Sequence, residues 1–331
     1  MAVAVTLAEE APQPSGQRYS PLAHPPWARP ANIPVTQGHI TVKYTLFALL
    51  PLAAYAQEMT GPTLGWSQSA DGRSLQAIYG VPGAARLGQA VAWPDELTDI
   101  LLSPSGQRAV AREGDATVLV DLLTRQRTPL RGATRAGTKV WSPLGTALLL
   151  ANNGQVHVYV QRGSAFEPLE ETSLPAESYA VSDDGSSILA IAGDELLLHN
   201  AQGASVLGRK PAGFTFLAGT NTPAFTAGAE LVLGNSRFAL PVDSPLLVSP
   251  AAGKILAIDR EGGRVIWFDD QGTHLADATC NCAVERVERL GATGTLRLIS
   301  SGSGPAWVAE TSNVSHRLFF VPNASSNEVE Q

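Results

Sequence analysis

The sequence has few charged residues and no long apolar run in its main part, and each shortage excludes a class of protein. Only 16% of the 331 residues are charged, and the formal net charge is −7. Without a block of Lys and Arg to displace phosphate counterions, the chain does not suit sequence-independent nucleic-acid binding, so we expect no nucleic-acid partner. No segment beyond residue 56 is apolar for long enough to cross a bilayer, so we expect no stable membrane insertion.

Apolar residues, glycine and proline are abundant instead. The chain is 44% apolar, which is enough for a substantial core, and it contains 31 Gly and 23 Pro. Many glycines and prolines with few charges favour an all-β fold with many tight turns over a helical one. No convincing amphipathic helix occurs within residues 60–322.

The amino-terminal region carries an export signal at an unusual place. Residues 1–39 are rich in Pro, Ala and Gln and lack apolar periodicity. Lys43 then precedes an uncharged apolar stretch over 44–54, and Ala54-Tyr55-Ala56 ends it before Gln57. A positive charge, a short apolar core and an A-x-A site are typical of a secretory signal peptide. We therefore predict a signal peptide over 42–56, cleavage between Ala56 and Gln57, and a periplasmic or secreted protein.

The position of this signal suggests that translation begins near Val42. If translation begins there, residues 1–41 are a mis-annotated start; otherwise they are a disordered leader. The alternative to a signal peptide is a short buried segment after that leader. No cysteine follows the cleavage site, so we expect no lipoprotein anchor. Residues 57–322 form the predicted folded domain, and 323–331 a polar tail.

Four short phrases that begin with serine and end with glycine recur along the chain. They are Ser103-Pro104-Ser105-Gly106, Ser142-Pro143-Leu144-Gly145, Ser182-Asp183-Asp184-Gly185 and Ser249-Pro250-Ala251-Ala252-Gly253. The first three begin about forty residues apart, and the longer gap before the fourth leaves room for a degenerate copy near Thr220–Thr226. A further copy fits at Gly294–Ser300. A period of this length indicates a repeat architecture.

Each phrase leads into two β-prone runs separated by a second turn. The first runs are Arg108–Arg112, Thr146–Ala151, Ser187–Ala192 and Lys254–Asp259, and the second are Ala116–Asp121, Gln155–Val160, Glu195–His199 and Arg264–Phe268. Forty-residue units of four short antiparallel strands are typical of propeller blades. We therefore predict an all-β fold, a β-propeller of six to seven four-stranded blades, with a pair of β-sandwiches as the alternative.

The choice between six and seven blades depends on the start of the folded domain. Six units span about 97–322. A hairpin over Thr63–Tyr79 could complete a seventh blade or pair with the carboxy-terminal strand Arg317–Val321. Either arrangement closes the ring and removes an exposed edge, and we prefer seven blades.

The Ser-Pro-x-Gly turn followed by a β-run resembles the TolB-like and related bacterial WD-type propeller repeats, whose usual form is Ser-Pro-Asp-Gly. The resemblance covers most of 97–300, but the aspartate is kept only as Asp184. The run Leu75–Leu87 is also similar to a stretch found in exported propeller proteins of acidobacteria, whose function is unknown. The resemblance implies a bacterial secreted propeller. It implies no ligand, because propellers host unrelated functions.

Cys280 and Cys282 are the only cysteines, and a single residue separates them. We interpret the pair as a local disulfide in the loop between two blades. Two free thiols, or a redox or metal-binding role, are the alternatives, although zinc would need two further ligands.

Catalytic motifs are missing from the sequence. The carboxylate pairs border turns and are interpreted as solvated, and no G-x-S-x-G or HExxH spacing occurs. We expect a monomeric, non-enzymatic scaffold without a cofactor, which recognises a protein, a peptide or a glycan through its blade loops.

The alternative is a metal-dependent, lactonase-like or other hydrolase that holds a divalent ion in the central channel. Its oxygen ligands would have to converge from several blades. The candidates near blade turns are Asn152, Asn153, Asp183, Asp184 and Asn221. The divalent-metal content of the purified protein distinguishes the two functions.

Overall fold

The computed structural model describes residues 62–69, 72–134, 136–291, 294–300, 306–312 and 315–322. These residues form 27 β-strands in seven antiparallel sheets, and every sheet consists of strands that are consecutive in the chain. The leader, the signal peptide with its cleavage site at Ala56 and Gln57, and the polar tail lie outside the described residues. Within the described ranges, no helix has the length and hydrophobicity that a membrane span requires.

Blade 1 has three strands and the other six blades have four. Blade 1 contains β1 (Thr63–Gln68), β2 (Ser74–Val81) and β3 (Ala84–Ala92). Blade 2 contains β4 (Leu97–Leu102), β5 (Arg108–Glu113), β6 (Ala116–Asp121) and β7 (Arg127–Thr134). Blade 3 contains β8 (Thr138–Trp141), β9 (Ala147–Asn152), β10 (Gln155–Arg162) and β11 (Ala165–Ser173). Blades 4 and 5 contain β12 (Ser178–Val181), β13 (Ile188–Ala192), β14 (Glu195–Asn200), β15 (Gly203–Arg209); and β16 (Phe214–Phe216), β17 (Pro223–Thr226), β18 (Glu230–Leu233), β19 (Ser236–Ala239). Blades 6 and 7 contain β20 (Leu246–Val248), β21 (Lys254–Ile258), β22 (Arg264–Asp269), β23 (His274–Thr279); and β24 (Arg286–Arg289), β25 (Thr295–Ile299), β26 (Ala306–Thr311), β27 (His316–Val321).

The described residues form seven hydrophobic clusters, and six of these lie between neighbouring blades. Between blades 3 and 4, for example, Leu149 and Val158 pack against Tyr179 and Ile188. Similar clusters join blades 2 and 3, 4 and 5, 5 and 6, and 6 and 7. A sixth joins blade 7 to blade 1, and in the seventh Trp93 packs against blade 2. The six clusters close the ring together with the hydrogen bond from the Gln68 side chain in blade 1 to the carbonyl of Ile100 in blade 2 (3.1 Å), which confirms an all-β propeller with seven blades.

In three of the four serine repeats, the serine closes the turn between the first two strands of a blade by pairing with the residue five positions later. Ser249 of the fourth repeat instead donates its hydroxyl to the carbonyl of Lys254 (2.7 Å). Ser142 donates its N–H to the carbonyl of Ala147 (2.9 Å) and accepts the Ala147 N–H on its hydroxyl (2.9 Å). The same pair of hydrogen bonds occurs at Ser103 and Ser182, and also at Ser69, a copy that the sequence analysis missed. The hydroxyl explains why serine occupies this position, because it accepts a hydrogen bond from an N–H that would otherwise be buried without a partner. Strands β17 and β25 lie where the two degenerate copies are predicted.

The three strands of blade 1 change the path of the chain. A four-stranded blade returns the chain to the face where the next blade begins, but three strands leave it on the opposite face. The connector 93–96 therefore crosses from the end of β3 to the start of β4. Among the described strands β27 pairs only with β26, so the alternative in which the hairpin over Thr63–Tyr79 pairs with Arg317–Val321 does not occur.

Candidate binding site

The first strand of each sheet lines the central channel, and the channel is bridged near the face that carries the serine turns. Arg289, in β24, donates from Nη1 to the carbonyl oxygen of Pro143 in blade 3 (2.8 Å). Burial lowers the pKa of Arg289, and the nearby charge of Asp183 opposes that effect. The Arg289 side chain therefore ties blade 7 to blade 3 across the ring, and its buried Nε has no acceptor among the described groups.

Asp183 ties three neighbouring blades together on the same face. Its carboxylate accepts hydrogen bonds from the N–H of Leu144 in blade 3 and from the N–H of Gly219 in blade 5, both at 2.7 Å. Its carbonyl oxygen accepts a further hydrogen bond from the hydroxyl of Thr146 (2.7 Å). These hydrogen bonds give Asp183 a structural role, since they fix the relative positions of three turns.

Asp184 is hydrogen-bonded within its own turn and to the next blade. It accepts from the hydroxyls of Ser182 (2.7 Å) and Ser186 (2.9 Å) and from the side-chain amide of Asn221 (3.0 Å). Partial burial raises the pKa of this carboxyl, but the hydrogen bonds from Asn221, Ser186 and Ser182 outweigh it and lower the pKa to about 2.

The five candidate metal ligands are divided between the two faces of the ring. Asp183, Asp184 and Asn221 lie together at the serine-turn face, where their hydrogen bonds join neighbouring blades. Asn152 and Asn153 lie at the other end of β9, roughly 20 Å away at about 3.3 Å per residue. The structure therefore does not bring the five together. Among the described residues, no three or more His, Cys, Asp or Glu side chains are grouped closely enough to hold a metal ion.

A cleft of about 810 Å³ opens on the channel side between blades 1, 2 and 7, and we call it the seam cleft. Its lining includes Gln68, Arg73, Trp93, Pro94, Asp95, Leu97, Thr98, Asp99, Ile100, Arg286, Val287 and Glu288. The connector 93–96 forms one wall, so the cleft exists because blade 1 has only three strands. Charged side chains of both signs and apolar side chains line the cleft together.

The wall of the seam cleft between blade 7 and blade 1 is held by polar side chains. Glu288 Oε2 accepts from the hydroxyl of Ser67 (2.6 Å) and the N–H of Gln68 (3.1 Å), while Arg297 donates to the same Ser67 oxygen (2.5 Å). We call these four residues the seam network. Ser67 and Gln68 are buried. Gln68 also donates to the carbonyl of Ile100 in blade 2 (3.1 Å), so the network reaches three blades.

Sequence reasoning did not identify Arg289, Glu288 or Arg297. One signal was available, because the segment Arg286-Val287-Glu288-Arg289 places three charged residues in a short innermost strand. Charged residues at such a position are costly unless they are paired, so they indicate a polar contact across a channel or between blades.

The structure joins Cys280 and Cys282 as a disulfide in the loop between β23 and β24, with 5.2 Å between the two Cα atoms. Cys280 is buried in the core between blades 6 and 7, next to Gly263.

We expect reduction of the disulfide to lower the free energy of unfolding by only about 1–2 kcal/mol, because the bond closes a very short loop. Thiol alkylation should label the native chain nowhere and the reduced, unfolded chain twice. Labelling of native, unreduced protein would contradict the disulfide.

Replacing Asp184 by asparagine should lower the free energy of unfolding by about 1 kcal/mol at pH 7, after allowance for solvent screening of an exposed group. The pKa of Asp184 is lower in the folded than in the unfolded state, so its contribution is complete above about pH 4 and is lost towards pH 2. Urea unfolding of Asp184→Asn and of the wild type should therefore differ at pH 7 and agree near pH 2. Asp270→Asn, at an exposed turn of blade 6, is the control. An equal difference at both pH values would contradict the role of the charge.

Comparisons with known proteins place the chain by fold alone. No family model and no curated protein match the sequence. The structure is similar to Hsv2 of Kluyveromyces lactis, with 10% identity and a TM-score of 0.50 over 66% of this chain and 74% of that one. The Cps50 (Swd1) β-propeller domain of Myceliophteria thermophila has 14% identity and a TM-score of 0.49, over 70% and 88% of the two chains. A functionally unknown protein of Desulfotomaculum acetoxidans has 12% identity and a TM-score of 0.49, over 78% and 99%.

The class that follows is a seven-bladed β-propeller. This conclusion depends on the topology of the sheets and on the likeness to Hsv2, and at these identities it extends to the fold and not to a ligand.

Proposed function

We propose that the chain is an exported, non-enzymatic propeller scaffold that binds a protein or a peptide in the seam cleft. The observation that carries the proposal is the cleft itself, which three blades form and whose lining combines charged groups of both signs with apolar side chains. Such a mixture suits a polypeptide, whose side chains and backbone offer apolar surface, charges and hydrogen-bonding groups together.

The charges at the mouth of the cleft are arranged in part as pairs. Lys139 is buried and bonded to Asp99, and Arg286 is bonded to Glu288 (3.1 Å). Asp95 lies on the connector, is exposed, and has no ion-pair partner among the described residues. A basic group of the partner would complete this arrangement, so we expect Asp95 to contribute to recognition.

Export is supported by the sequence between Lys43 and Gln57. Mass spectrometry of the protein from its native cells should find a mature amino terminus at Gln57. Any peptide from residues 1–39 would exclude the proposed start, and a chain that keeps residues 44–56 would exclude cleavage.

The experiment for binding compares three forms of the full chain as baits for cross-linking in native cells. They are the wild type, Asp95→Arg in the seam cleft, and Asp194→Arg in an exposed turn of blade 4. Proteins cross-linked to the wild type and to Asp194→Arg should be reduced at least about tenfold with Asp95→Arg, which corresponds to the loss of one charged contact. Equal recovery with all three baits would remove the seam cleft as the binding site.

We do not propose the metal-dependent hydrolase as a second function. Of its five candidate ligands, Asn152 and Asn153 lie on the face of the ring opposite to the other three. The measurement that separates it from a scaffold is still simple. We expect the purified protein to contain no stoichiometric divalent ion, and one bound ion per chain would favour the hydrolase.

A further inference from the structure

Among the described residues, no fourth strand covers the outer edge of β3, the third strand of blade 1. In the other six blades a fourth strand covers the outer edge of the third. Within the part of the chain that the structure describes, β3 pairs only with β2, although it is nine residues long. In six blades, therefore, the position outside the third strand is occupied by another antiparallel strand.

The pairing register gives the direction of the free backbone groups. The N–H of Trp93 donates to the carbonyl of Arg73 (3.1 Å), directly after the opposed pairs Ser74–Ala92 and Leu75–Val91. Hydrogen-bonded and non-hydrogen-bonded pairs alternate along an antiparallel ladder. The N–H and C=O groups of Ala92, and those of Ala90 two residues earlier, therefore point away from β2.

The surface of β3 is suited to receive a strand. Leu87 is buried under blade 7, but the four residues 89–92 are exposed, and Val91 is 51% exposed. The outer strand β11 of blade 3 differs from β3, because Pro168 and several glutamates interrupt its edge. The one charge in β3 is Arg86, which is exposed and has no ion-pair partner among the described residues.

We propose that β3 accepts an extended segment of a partner protein as the fourth antiparallel strand of blade 1. The inference rests on the proposed function in that the partner is a protein, but it places the contact at the outer edge of the blade. The segment should carry β-branched side chains that pair along β3, with a carboxylate opposite Arg86. A second copy of β3 does not meet this requirement, since the strand contains no carboxylate.

The test uses phage-displayed peptides of about eight residues, selected on the immobilised full chain. Enriched sequences should alternate β-branched and polar residues and contain one Asp or Glu. Ala90→Pro removes an outward N–H and leaves the pairing with β2 intact, so it should weaken binding at least about tenfold. Ala204→Pro is the matched control, because Ala204 lies on the outer strand of blade 4 and its N–H also points outward from a two-residue hairpin.

A second variant keeps the backbone unchanged and tests the charge. Arg86→Glu should select peptides with Lys or Arg in place of the acidic residue. Amide hydrogen exchange on the wild type should then slow at Ala90 and Ala92 when a selected peptide is added.

The outcomes separate this inference from the proposed function. Peptides that bind wild type and Ala90→Pro equally would overturn the strand-addition site, and their loss with Asp95→Arg would leave the seam cleft in place. Peptides unaffected by either variant would remove both. Concentration-dependent dimers that Ala90→Pro abolishes would show that a second copy occupies the edge, which overturns the proposal of a different partner.

Discussion

Replacing Glu288 by alanine should lower the free energy of unfolding by about 3 kcal/mol, because it removes the negative centre of the seam network. The variant loses the acceptor for Ser67, for the N–H of Gln68 and for Arg286. It also leaves Arg297 in a half-buried site without its neutralising charge, in a position where burial already lowers the arginine pKa. Urea unfolding followed by tryptophan fluorescence measures the loss.

The control is Glu310→Ala, also in blade 7. The side chains of Glu288 and Glu310 have the same exposure, 14%, but Glu310 pairs with the exposed Arg317. Such a surface pair contributes at most about 1 kcal/mol. Hydrogen exchange should also accelerate in β1 and β24 of Glu288→Ala before it changes in other blades. Equal effects of the two alanine variants would show that blade 7 and blade 1 are held by apolar packing alone.

Replacing Trp267 by alanine should cost about 4 kcal/mol, the largest single-residue effect that we expect. Trp267 is fully buried between blades 6 and 7, where it packs against Leu256 and Leu296. Its indole N–H donates to the hydroxyl of Thr311 in blade 7 (3.0 Å). Truncation therefore creates a cavity and removes a hydrogen bond between two blades.

Trp307→Ala is the comparison variant for this prediction. Trp307 is only partly buried in β26 and has an edge-to-face contact with Phe320. Thermal unfolding of the two variants should show a loss at Trp307 that is less than half of the loss at Trp267. A milder effect at Trp267 than at Trp307 would mean that the core between blades 6 and 7 can collapse around the cavity.

The fold could be predicted because its main signal is local and repeated. The serine hydroxyl and the glycine with positive φ are required within a six-residue turn, so Ser142 and Gly145 can be recognised without knowledge of the rest of the chain. The turns that lead into the two degenerate copies carry a weaker signal for a physical reason. At Leu217 and Leu290 the backbone hydrogen bond from N–H to the carbonyl five residues on is kept, but there is no hydroxyl to identify it.

The site could not be predicted in the same way, because it depends on contacts between distant parts of the chain. Arg289 and Pro143 are 146 residues apart, and Ser67 and Glu288 are 221 apart. No local pattern requires these pairs. Asp183 was noticed as a charged turn residue, but its role in joining three turns depends on the ring geometry. The seam cleft likewise follows from the number of strands in blade 1, and hydrophobic periodicity does not count strands reliably.

The way in which the ring closes has a mechanical consequence. When one blade contains strands from both ends of a chain, tension between those ends must shear a row of backbone hydrogen bonds. Here each sheet is made of consecutive strands, so tension between Thr63 and Val321 acts first on the side chains of Ser67, Glu288 and Arg297 and on the apolar contact behind them. Under tension, blades 1 and 7 should therefore separate from each other first, while each blade stays folded.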